Sequence, residues 1–308
     1  MSPMGIRHQA IATIGRCIYC GRPPTGREHA IPRGLNGVDT LEAASCGKCA
    51  GITSRYEMEI LRGALLPLRI VLDLYTSDPK ERPSKLPVVL VMPDRRRVGQ
   101  MIPAGFHPAP LALPLLYGPT YLTGESRPMQ MSDKQWTRQF TDPALVDQYL
   151  ERVGAVELIV ETLVDPTPLV RVIAKIAYCY AVPQFGLDGF TEVFLPNVAA
   201  PTTTLEALSP YVGGLLEPAP PEDNLHTTTI EVLDDGLVLV AVRLLARFGA
   251  PTYVAIVGRT RPGDGNRNYV HGVRIEPNHP ILGWPIPENA QHLFDIVSRK
   301  KKGAGHRH

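Results

Sequence analysis

Two Cys-x-x-Cys pairs, Cys17/Cys20 and Cys46/Cys49, bracket a 25-residue loop near the start of the chain. Each pair sets two thiols on one turn, and two such knuckles close a tetrahedron around a single ion. Four sulfur ligands fit Zn²⁺, and a four-thiolate site keeps no position open for water. The ion is therefore expected to be structural. Free thiols or a redox pair are the alternative, and the matched spacing in a proline-rich loop argues against them. Neither pair sits between a predicted buried strand and a helix in the thioredoxin manner. The fifth cysteine, Cys179, stands alone and reads as a small buried hydrophobe.

After Cys49, apolar residues at Ile52, Tyr56, Ile60 and Leu61 follow helical spacing, which predicts a helix over about 50–65 ending before Pro67. A unit of residues 1–66 has too little core to stand on hydrophobic burial alone, and a metal supplies the missing stability. The division expected is therefore 1–66, a zinc-stapled unit, and 67–308, a larger region.

Between the knuckles lies Arg27-Glu28-His29-Ala30-Ile31-Pro32-Arg33-Gly34-Leu35-Asn36-Gly37. Cys-x-x-Cys-Gly, then Glu-His-x-x-Pro-x-x-Leu-x-Gly, then Cys-x-x-Cys and a helix, resembles the HNH endonucleases. The resemblance implies a ββα-metal unit stapled by the knuckle pair, acting on double-stranded DNA with one divalent ion, Mg²⁺ or Mn²⁺. Carried over, Glu28 is a ligand of that ion and His29 the general base. Ala50 stands where the family usually has an Asn or His ligand, and Leu41 where an Asn is often found. Helix positions seven apart turn about 700°, so Glu57 lies two turns along the face that starts at Ala50. Cys-x-x-Cys-Ala-x-Ile-Thr-Ser-x-x-Glu resembles a branch of these nucleases, and Glu57 is the replacement ligand it implies. The commoner fate of such a Glu is a solvated surface contact. Arg27, Arg33 and Arg55 are candidate phosphate contacts. Asn36 suits a turn with positive φ.

The chemistry is physically consistent. A phosphodiester needs an oxygen nucleophile in line and relief of charge on the leaving oxygen. Histidine, with an ordinary pKa near 6.5, takes a proton from water near neutrality. A divalent ion stabilises the leaving group as a Lewis acid. A carboxylate and a histidine adjacent in a strand point to opposite faces, so addressing one centre requires a bend between them.

The remainder of the chain reads as α+β with antiparallel strands. The chain's 31 prolines cluster at 79–119 and 201–221, where short strands at most are expected. Strands are predicted at Leu86–Met92, Val98–Ile102, Val156–Leu163, Thr227–Leu233, Gly236–Leu245, Tyr253–Gly258 and Tyr269–Ile275. Helices are predicted over 143–152, capped by Asp142, over 168–182, capped by Thr167, and over 288–298. Lys175 near the apolar face of the second helix is expected to snorkel to solvent. His226 and His271 are expected to be structural. Ala174-Lys175-Ile176-Ala177-Tyr178 and Phe248-Gly249-Ala250-Pro251 also resemble segments C-terminal to the HNH unit in some bacterial and phage proteins, with no activity attached.

No run approaches 18 apolar residues and the N-terminus lacks a signal-peptide layout, so no membrane partner and a cytoplasmic location are expected. A net charge of +2 is too small to steer nucleic acid, which leaves local patches such as Arg95–Arg97 and the tail Arg299–Lys302. Two functions remain: a metal-dependent DNA endonuclease, or a non-catalytic zinc-knuckle module binding nucleic acid or protein. A vacant cation site beside His29, with the Glu28 and Glu57 carboxylates converging within about 5 Å, separates them; Glu57 pointing to solvent with Glu28 in a surface salt bridge favours the binding module.

Overall fold

A computed structural model describes residues 8–124, 131–160, 164–200, 203–217, 219–260 and 268–273. The chain begins with β1 (Gln9–Thr13), β2 (Gly26–His29), β3 (Asp39–Ser45), α1 (Gly47–Arg62) and α2 (Leu66–Val71). It continues with β4 (Lys85–Val91), β5 (Arg97–Pro103), β6 (Pro110–Leu116), α3 (Thr120–Thr123), β7 (Met131–Gln139), α4 (Pro143–Val153) and β8 (Glu157–Ile159). Then come α5 (Pro166–Phe185), β9 (Phe190–Val193), α6 (Leu205–Leu208), β10 (Val212–Gly214), β11 (His226–Val232), β12 (Leu237–Arg243), β13 (Tyr253–Thr260) and β14 (Asn268–Val273). The fold is mixed α+β, and among the described strands only the β1–β3 pair is parallel.

Near the N-terminus the strand order is β1-β3-β2, and β2 runs antiparallel to β3. The chain leaves β3 through Ser45 and enters α1 with Cys46 as its N-cap. α1 ends at Arg62, and Pro67 opens α2 in its first turn, where a missing N–H leaves no bond unmade. The largest sheet runs β10-β13-β12-β11-β14, with β9 also on β13. β5-β4-β8 and β6-β7 form two smaller sheets.

α5 is the centre of the molecule. From Pro168 to Val182 it is buried except at Arg171, and it packs on α1 to one side and on β11, β12 and β13 to the other. A helix apolar on every side belongs in a core rather than at a surface. One continuous hydrophobic core accordingly runs from Cys17 in the knuckle region to Val257 in β13. A second, small core lies between β4, β5 and α4, around Val88, Leu90, Ile102 and Tyr149.

Several expectations are corrected. The cap of α5 is Asp165, whose carboxylate accepts from the Thr167 N–H, so the helix starts before the expected Thr167. The Asp142 cap of α4 is as expected, accepting from the Ala144 N–H. The proline-rich stretch contains β6, a seven-residue strand that is buried beyond its first residue. Pro114 is tolerated there because β6 pairs with β7 alone among the described strands, leaving its other edge free of a ladder. The helix expected over 288–298 and the basic tail lie outside the described residues.

His226 and His107 are buried and held neutral. The Leu245 N–H donates to His226 Nδ1 at 3.0 Å, so Nε2 carries the proton and donates to the Leu35 carbonyl at 2.7 Å. Burial pushes both imidazoles down to about 4. In the unfolded chain a histidine takes up its proton near 6.5. Between those values the unfolded state binds more protons, so stability falls as pH drops. Each residue contributes a slope on the order of 1 kcal/mol per pH unit. Urea unfolding at pH 7.5 and pH 5 is expected to show a clear loss at the lower pH, and equal midpoints would contradict this account.

Candidate functional site

The four knuckle cysteines come together. Their sulfurs all lie within 4.8 Å of one another, and Cys20 Sγ is 3.6 Å from Cys46 Sγ. The first knuckle is closed by Gly21 N–H donating to the Cys17 carbonyl and Cys17 N–H donating to the Arg22 carbonyl, both at 2.8 Å. The second lies on the first turn of α1, where the backbone N–H of Cys49 holds the Cys46 thiol down at about 6. None of the four is in a disulfide, and such a group is compatible with structural zinc.

Glu28 and His29 end β2, and Glu57 projects from α1 toward them. A bulge between Gly26 and Glu28 breaks the β2–β3 register, after which Glu28 pairs with Leu41 and His29 with Thr40. The bend lets Glu28 and His29 both line one cleft, together with Ala50, Thr53, Ser54 and Glu57 of α1. The cleft has a volume of about 550 Å³. The lining also includes Arg27, Arg33, Arg62, Arg69 and Arg82. Arg55, one of the expected phosphate contacts, is exposed on α1 and does not line it.

The two carboxylates converge on Lys175 of α5. Its Nζ lies 3.1 Å from Glu28 Oε1 and 3.0 Å from Glu57 Oε1. The same ammonium donates to the carbonyls of His29 and Ala30. The Lys175 side chain is 0% exposed, and those of Glu28 and Glu57 are 7% and 17% exposed. The expectation that Lys175 snorkels to solvent is therefore wrong. Bulk water is out of reach of a lysine in the middle of α5, and a buried ammonium is stable only with charged or carbonyl oxygens around it. Burial opposes its charge, but Glu57 and Glu28 outweigh burial and raise its pKa well above the ordinary value. The Glu57 carboxyl is raised by burial and by Glu28, against the pull of Lys175.

His29 is held neutral. Burial, then the charges of Lys175, His8, Arg33 and Arg27, lower its pKa to about 3. Its Nε2 is buried without a hydrogen-bond partner among the described residues. The His8 ring packs edge-on, 5.1 Å away.

The rest of the cleft is braced by groups that give little local sign in the sequence. Arg69 donates to the carbonyls of Gly34, Leu61 and Tyr75 at 2.8–2.9 Å, tying the loop after β2 to α1 and to the segment after α2. Asn36 has the positive φ expected of it, 62°, and its Oδ1 accepts from the Tyr75 N–H at 2.7 Å. Arg33 stacks on the Tyr75 ring at 4.3 Å. Lys175 does leave a trace, because it is the one charge in the apolar run from Leu169 to Val182 other than Arg171. A helix with no polar face must supply such a charge with a partner.

Comparison of the chain with family models, with curated proteins and with solved structures finds no match. Among the described residues no helix is long and apolar enough to cross a membrane.

One equivalent of zinc per chain is expected on metal analysis of the purified protein. Cys46→Ser should lower that ratio and the thermal midpoint together, since structural zinc contributes directly to folding free energy. Full stability in a zinc-free preparation would overturn the assignment.

Proposed function

We propose that the protein hydrolyses phosphodiester bonds of double-stranded DNA, and that Zn²⁺ on Cys17, Cys20, Cys46 and Cys49 staples the unit that carries the site. The succession β2, β3 and α1 is then the ββα-metal arrangement implied by the resemblance to HNH endonucleases. A setting that keeps thiols reduced, such as cytoplasm, suits it. The observation that carries the reading is one cleft lined by Glu28, His29 and Glu57 together with five arginines.

Arginine suits a phosphodiester because its planar fork pairs with phosphate oxygens. Arg27 and Arg33 are the nearest such groups to His29 in sequence, and both lower its pKa. A phosphate drawn between them would offset that positive field and make the imidazole a better proton acceptor. His29 then takes the proton from the attacking water at Nε2, the buried atom that has no partner among the described residues. Carboxylate oxygens are the donors that a hard divalent ion takes, although among the described residues only the four cysteines converge as a metal-binding group. Glu28 and Glu57 would hold Mg²⁺ or Mn²⁺, which supplies Lewis-acid relief of charge on the leaving oxygen.

A second reading is favoured by one observation. Glu28 and Glu57 already share a cation, Lys175, and Ala50 offers no ligand atom. On that reading the arginine-lined cleft binds nucleic acid without cleaving it.

Supercoiled plasmid incubated with the full chain separates the two. Hydrolysis predicts nicking with Mg²⁺ or Mn²⁺ that chelator stops and that His29→Ala reduces by about 10²–10⁴-fold. Retained DNA binding with no cleavage in any metal would establish the binding module instead. In either case Arg27→Ala is expected to weaken binding uniformly across sequences and to reduce the salt slope by about 1.

A further inference from the structure

We propose that Lys175, delivered by α5 from the far part of the chain, is the positioning residue of this site: a resident cation that holds the carboxylates of Glu28 and Glu57 together on the cleft wall. The inference rests on the reading of the cleft as a working site.

Four oxygens surround the ammonium: Glu28 Oε1 and Glu57 Oε1 as ion-pair partners, and the carbonyls of His29 and Ala30 as hydrogen-bond acceptors. They come from β2, the turn after it and α1, so one nitrogen fixes three segments. Lys175 is absent from the cleft lining, whereas Glu28, His29 and Glu57 are present. The ammonium therefore sits behind the wall and acts on bound substrate only through those three residues. Its contact with the His29 carbonyl also fixes the backbone that carries the imidazole.

Lys175 is one of a stripe. On the same side of α5, Tyr178 donates to the Ile18 carbonyl at 2.9 Å and Cys179 Sγ lies 3.7 Å from the Tyr19 hydroxyl. One turn earlier, the Arg171 guanidinium stacks on Tyr56 at 4.5 Å. Residues 171, 175, 178 and 179 share a helix face by their spacing. That face meets the knuckle region, β2 and α1. The region after residue 66 thus completes the site, and the N-terminal residues taken alone lack the cation that sets their two carboxylates side by side.

The test uses the full chain and a double-mutant cycle on the thermal midpoint. Lys175→Met leaves two carboxylates facing each other without a counter-charge. It is expected to lower the midpoint by on the order of 10 °C. Adding Glu57→Gln to Lys175→Met should recover part of that loss, although Glu57→Gln alone is destabilising. Additive losses would overturn the proposal, because they would mean the lysine and the carboxylate do not act on one another.

A second arm uses Mn²⁺ alone. In Lys175→Ala the cation is gone and space is opened, so Mn²⁺ should raise the midpoint more than it does for the wild type. The excess should vanish in Lys175→Ala/Glu57→Gln. Equal Mn²⁺ effects in wild type and Lys175→Ala would overturn the assignment.

A third arm measures plasmid cleavage well below the midpoint of Lys175→Met. A positioning role lowers kcat and leaves KM near the wild-type value, since the arginines that hold DNA are untouched. A rise in KM with kcat unchanged would count against it. A wild-type chain that cleaves nothing, with the first two arms as expected, removes the hydrolase reading and leaves Lys175 as the cation of the carboxylate pair.

Discussion

The ammonium of Lys175 lies at the point where the two ends of the fold meet. A lysine fully removed from water keeps its charge only if oxygens with negative or partial negative charge surround it. Here those oxygens belong to Glu28, Glu57, His29 and Ala30. The requirement is mutual, because two buried carboxylates close to one another need a cation between them. α5 cannot enter the core without β2 and α1, and neither carboxylate can sit on the cleft wall without α5. The rest of that interface is joined by hydrogen bonds. The Tyr180 hydroxyl donates to Asp39 at 2.7 Å, and His226 joins Leu35 of the N-terminal region to Leu245 beyond β12.

The four cysteines act on a shorter range. They fix the start of α1 against the knuckle at Cys17, and thereby set the direction in which α1 leaves β3. Glu57 lies three turns along that helix, so its position depends on the angle chosen at Cys46. Arg69 then fixes the opposite edge of the cleft by bonding three carbonyls from three segments. Its work is geometric: a planar fork satisfies carbonyls that would otherwise be left unpaired.

Both signs of charge line the cleft. Glu28 is buried, and Lys175, which is absent from the lining, balances it and Glu57. Arg27 and Arg62 are exposed, whereas Arg33 and Arg69 are partly buried and engaged with Tyr75 and neighbouring carbonyls. His29 stays neutral because burial and the surrounding cations both oppose its charge.

Much of this is legible in the residues. The two Cys-x-x-Cys pairs announce the metal group, because thiolate spacing is a local property of a turn. Capping residues and periodicity locate α1, α4 and the main run of β11, β12 and β13, because those signals depend on neighbours a few residues away. The face shared by Ala50, Thr53, Ser54 and Glu57 comes from helical geometry alone. The strand β6 is obscured by its prolines, which are tolerated only because no second described strand joins it. Lys175 reads locally as a surface residue because a lysine's fate depends on the groups across from it. Those partners, 118 positions away at Glu57 and 147 away at Glu28, are invisible to any local pattern. The sequence by itself determined the paired cysteine turns, the main run of α1, α4 and α5, and the residue types at the candidate site. Only the tertiary structure decided that a lysine from α5 neutralises the two carboxylates and that arginines from separate segments enclose one cleft. Charge pairing in a core is set by distance through space, and local sequence spacing carries no information about that distance.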